Sequence, residues 1–120
     1  MKQYQIINAY KNLELLSDNE NLTEFDQWRI YKLRKKLRPH VDFQQERENF
    51  LREKYQEFSD EQGVLKNKEA EDYMRDMQDL AQLDVEIEKE SKPQIKITKG
   101  ITCKIMEALD AFIDFAEPME

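Results

Sequence analysis

Two glycines and three prolines among 120 residues leave little material for a turn-rich sheet protein, and the shortage favours long uninterrupted helices. A single cysteine, Cys103, excludes an intramolecular disulfide framework and fits a reducing compartment. Triad chemistry needs a base near neutral pKa, and the one histidine, His40, lies far along the chain from the one thiol, so no catalytic pair is expected. Structural zinc takes four Cys or His ligands, which these two residues cannot supply. Gly63 and Gly100 stand alone and make no phosphate-cradling loop. No stretch approaches the roughly 20 apolar residues of a membrane helix, and the opening MKQYQIINAY lacks the apolar run of a signal peptide. The expectation is a cytoplasmic, non-enzymatic protein with no cofactor, no metal and no membrane association.

What the chain does have is charge and large apolar side chains. Charged residues make up 38% and the hydrophobic set 39%, with a mean hydropathy of −0.92. One Trp, five Tyr, six Phe and five Met, set at regular intervals, argue for a folded chain despite that polarity. The length is that of one domain, 1–120. A net charge of −7 opposes general affinity for phosphate lattices and anionic membranes.

The periodicity predicts a mainly α protein with a minor β part. Ile6, Ala9, Tyr10, Leu13 and Leu16 recur at helical spacing and predict a helix over about 3–17. Thr23, with Asp26 three residues on, reads as a capping box opening a long helix over about 23–59, interrupted only by Pro39. Pro39 either kinks or splits it, and a kinked continuous helix is favoured because no Gly, Asn or Ser cluster flanks the ring. Ser59 to Gly63 supplies turn chemistry, with Gly63 suited to a left-handed helix end. A third helix over about 68–82 is expected to be capped by Asn67 and to bury Met74 and Met77. Strict alternation in LDVEIE predicts a strand at about 83–88, and Ile95 and Ile97 a second at about 94–98, paired as an antiparallel hairpin. A last helix is expected over about 102–115. The whole reads as an antiparallel helical hairpin or bundle with a small two-stranded appendage.

One segment departs from the acidic average. Arg29 to Arg38 carries six basic residues and no acid. On a wheel of about 100° per residue, Ile30, Leu33 and Leu37 cluster, while Phe25, Trp28 and Tyr31 point mostly to the opposite side with Lys32 and Lys35. A helix with two apolar faces is either sandwiched within its own fold or leaves one face for a partner. The candidate partner-binding residues are Trp28, Tyr31, Lys32 and Lys35. Basic residues beside Trp and Tyr can also serve a nucleic acid by charge and stacking, a use the acidic remainder of the chain disfavours. The basic block can instead pair with acidic segments of the same chain or of a second copy in a homodimer.

Glu57 with Asp60, and Glu69 with Asp72, share an acid-x-x-acid spacing that resembles the magnesium sites of all-helical nucleotide pyrophosphatases. With 26 acidic residues present, a solvated acidic face accounts for the same spacing. Taken together, INAYKNLELL, LRPHVDFQQERENFLREKY, LDVEIE and ITCKIMEALDAFIDF resemble a family of short phage and prophage proteins. The resemblance implies a virus-encoded protein in the bacterial cytoplasm, with a helical hairpin and a small sheet, and no reaction. The function expected is binding of another protein, viral or host, through the long helix. Alternatives are a host-directed inhibitor whose acidic surface imitates nucleic acid, and the magnesium-dependent nucleotide hydrolase.

Overall fold

The structure is a computed structural model and describes residues 1–62, 64–88 and 91–117. Helix α1, Gln3–Ser17, buries Ile6, Ala9, Tyr10, Leu13 and Leu16, the stripe its spacing predicts. Helix α2, Glu24–Gln56, opens on Thr23, whose Oγ1 accepts from the Asp26 N–H at 3.1 Å. It runs 33 residues without a break at Pro39, about 50 Å at 1.5 Å per residue, along a molecule 59 Å in its longest dimension. It stops at Gln56, short of the expected boundary. There Ser59 Oγ donates back to the Gln56 carbonyl, and Asp60 Oδ1 accepts from the N–H groups of Gln62 and Val64, closing a turn. The expected left-handed Gly63 lies outside the described residues.

Partners descend along α2 as they ascend along α1. Gln3 Nε2 donates to the His40 carbonyl at 2.9 Å, Arg38 Nη1 to the Tyr10 hydroxyl at 3.1 Å, and Gln27 Nε2 to the Asn19 carbonyl at 2.9 Å. Between these polar ties, Ile30, Leu33 and Leu37 meet the α1 stripe in the main core. Beyond Val41 helix α2 leaves that core, and its far end packs with helix α3, Asn67–Ala81. Leu51, Tyr55 and Leu80 form a second cluster there, joined by Leu65, Tyr73 and Met77. The rings of Tyr55 and Tyr73 meet edge to face at 5.5 Å. Two expectations are corrected here. Lys66 occupies the cap position and Asn67 is the first helical residue, and Met74 is 61% exposed while Met77 packs inward.

The β part differs most from the expectation. The 83–88 run is no partner of 94–96. It lies beside the residues that open α1, with Gln3 N–H donating to the Leu83 carbonyl at 2.8 Å and Val85 N–H to the Met1 carbonyl at 2.7 Å, and with an antiparallel bridge between Lys2 and Asp84. Strand β1, Gln94–Lys96, pairs instead with strand β2, Asp114–Ala116, and the pairing is parallel, with Ile95 opposite Phe115. Parallel strands need a crossover, supplied by the short helix α4, Cys103–Leu109, capped by Thr102 Oγ1 on the Ile105 N–H. The expected 102–115 helix therefore ends at Leu109, where the N–H groups of Phe112 and Ile113 both turn back to the Leu109 carbonyl and bury those side chains. Alternation of apolar and acidic residues says which face of 83–88 is inward, and leaves open which backbone lies alongside.

Gly100 sits at φ 95°, in the left-handed region, and a Cβ there would stand 3.0 Å from Asn19 Nδ2. That nitrogen donates to the Lys99 carbonyl at 3.0 Å, so the crossover is tied to the turn between α1 and α2.

A basic aromatic groove along the long helix

The first half of α2 turns Ile30, Leu33 and Leu37 into the core, so the 3.6-residue period sends Trp28, Tyr31, Lys32 and Lys35 to the other side. All four line one groove of about 1080 Å³. Trp28 is 54% exposed and Tyr31 58%, and Phe25, one turn earlier, 72%. These rings are not core. The opposite wall comes from Ile87, Glu88, Ser91, Lys92 and Pro93, with Ala111 and Phe112 from the α4–β2 connection, and Met1 also lines the groove.

Among the described residues, five basic side chains and one acidic one line this groove: Arg29, Lys32, Lys35, Lys36 and Lys92 against Glu88. Three of the five hold the walls together. Lys36 Nζ donates to the Glu88 carbonyl at 2.7 Å, Lys92 Nζ to the Asp110 carbonyl at 2.9 Å, and Arg29 Nη1 both to buried Asp26 at 3.0 Å and to the Gln94 carbonyl at 3.3 Å. Lys32 Nζ instead lies 4.5 Å from the centroid of the Trp28 ring, an arrangement that fixes both side chains while leaving the ammonium open to an anion. The Lys35 side chain makes no hydrogen bond or ion pair among the described residues. The groove thus presents two uncommitted positive charges beside two exposed aromatic rings.

The sequence placed the α2 side of this groove. It did not give Lys92, Pro93, Ala111 or Phe112, which reach the groove only because β1 and β2 bracket α4 and return the chain to α2. Among the described residues no three His, Cys, Asp or Glu side chains gather where a metal ion could be held. Of the acid-x-x-acid pairs, Asp60 lies 3.9 Å from Lys66 and Asp72 3.6 Å from Arg75. Among the described residues no helix is long and apolar enough to cross a membrane. No known protein family, curated protein or solved structure matches the chain.

Proposed function

We propose that the protein is a non-enzymatic binding module that takes an acidic, apolar-bearing segment of another protein against α2. Trp28 and Tyr31 anchor it, and Lys32 and Lys35 meet its charge. The observation that supports this reading is the coincidence of half-exposed rings and uncommitted lysines in one concave surface of a molecule whose net charge is −7. Aromatic side chains of this kind carry much of the binding energy at protein interfaces, because they bury large areas with few rotamers to freeze. On the likeness to short phage and prophage proteins, the module is virus-encoded and acts in the cytoplasm of a bacterial host.

Trp28 is the only tryptophan, so its emission reports on the groove directly. Titration with a synthetic amphipathic peptide rich in Glu and Phe should shift that emission to the blue and saturate. The affinity should fall as salt rises, since exposed charges are screened within about 10 Å at 0.1 M. A Lys32→Glu, Lys35→Glu double variant should remove the response without unfolding the chain. An unchanged emission, or a response only to single-stranded oligonucleotide, overturns the reading.

A further inference from the structure

The groove continues into a longer surface. At about 100° per residue, Phe25, Trp28, Lys32, Lys35, Pro39, Phe43, Glu46, Phe50 and Glu53 fall on one side of α2, opposite the buried line of Ile30, Leu33, Leu37, Leu51 and Tyr55. The aromatic residues of that side are exposed along the whole rod, with Phe43 at 42% and Phe50 at 50% beyond the proline. The nine positions of that side, aromatic, charged and Pro39 together, recur at steps of three and four residues, the spacing of a two-helix coiled-coil seam. Charge on this side is divided at Pro39. Lys32 and Lys35 precede it, with Lys36 tied to the Glu88 carbonyl, and Glu46 and Glu53 follow, with Asp42 paired to Arg38 at 3.1 Å. At the margin of the second half Lys54 is engaged with Asp76 at 3.3 Å, and Arg47 lies over the Phe50 ring at 4.6 Å, one cation on this side against Glu46 and Glu53. The Glu46 and Glu53 carboxylates make no hydrogen bond or ion pair among the described residues.

We infer that the acidic segment received by the groove is the second half of α2 from a second copy of this chain. The two long helices then lie antiparallel about a two-fold axis beside Pro39, an inference that rests on the binding reading above. Equal distances from Pro39 set Lys32 opposite Glu46, Trp28 opposite Phe50, and Lys35 opposite Phe43 of the partner copy. Each contact occurs twice, as an isologous interface requires. A parallel arrangement would set lysine against lysine and glutamate against glutamate. Turning one helix end for end converts both repulsions into attractions, so the division of charge selects the antiparallel pair. A strip about 50 Å long and about 12 Å wide on each copy buries on the order of 1,200 Å² in all, at the low end of stable specific interfaces, so association is concentration-dependent.

Sedimentation of the full chain over about 1 to 200 µM, the micromolar range such an interface supports, tests this by a charge exchange. The wild type should reach twice the 14.5 kDa of one chain as concentration rises. Lys32→Glu alone and Glu46→Lys alone each create two like-charge contacts and should weaken association on the order of tenfold. An equimolar mixture of the two variants restores both attractions and should recover the heavier species. A wild type that stays monomeric overturns the inference, as does a mixture no heavier than its components, or a dimer indifferent to both substitutions. If the chain is monomeric and Trp28 still responds to the acidic peptide, the second copy is refuted while the groove remains a binding site; loss of both responses refutes the two readings together.

Discussion

Ile30 and Trp28 stand two residues apart on α2, and truncating each to alanine should separate its two apolar faces. Ile30 is fully buried in the main core. Its replacement by Ala removes buried methyl and methylene groups and leaves a cavity, at a cost of about 2 to 5 kcal/mol. Trp28 offers on the order of 200 Å² of surface, but 54% of the residue is already in water. At about 25 cal/mol per Å², the remaining half sets a ceiling near 2 kcal/mol, and about 1 kcal/mol is expected because its neighbours on that side are solvated. For a chain of 120 residues, an unfolding entropy of about 0.25 kcal/mol/K converts these costs into about 14 °C for Ile30→Ala and about 4 °C for Trp28→Ala. Thermal unfolding followed by circular dichroism at about 1 µM keeps self-association from contributing. Equal losses for the two variants would refute the assignment of Trp28 to a free face, and with it the groove.

Pro39 removes the N–H that would reach the Lys35 carbonyl in the middle of a continuous helix, so Pro39→Ala should raise the unfolding free energy measured by urea titration, by about 1 to 3 kcal/mol less the entropy the ring had taken from the unfolded chain. Gly100→Ala should cost about 1 to 2 kcal/mol in the same assay, because its left-handed backbone disfavours any Cβ and Asn19 stands in the way. At the α2–α3 junction the Tyr55 hydroxyl donates to Asp76 at 2.6 Å, and this bond, with Lys54 beside it, holds the Asp76 carboxyl below the usual carboxylate range. A carboxyl depressed in the folded state stabilises above its unfolded pKa, near 3.9, and that contribution is lost as pH falls through the lower folded value. Stability should therefore fall below about pH 4 in the wild type and fall less in Tyr55→Phe, as read by urea midpoints at pH 7 and pH 3; equal acid losses in both proteins would dismiss the Tyr55–Asp76 bond as the cause.

Helical elements were legible wherever one residue's neighbours three and four positions away decide its environment. The α1 stripe, the Thr23 cap and the two apolar sides of α2 all follow from spacing within a single rod. Even the continuation through Pro39 could be read locally, because nothing around the ring offers a competing turn. The same spacing placed Met74 inward with Met77, and there it failed: α3 packs chiefly on the far end of α2 and touches α1 only slightly, and Met74 is left exposed.

Composition and period by themselves determined that the chain is helical, that it carries charge unevenly, and that the aromatic residues of α2 could not all face one way. Tertiary structure alone decided that LDVEIE lies beside Met1 to Gln3, that β1 and β2 run parallel around α4, and that Lys92 and Phe112 complete a groove whose other wall is Trp28 and Tyr31. The reason is that helical hydrogen bonds close between residues four apart, within reach of local sequence. A strand's partners and a groove's walls are brought together from opposite ends of the chain, and side-chain alternation carries the inward face of a strand but no address for its neighbour.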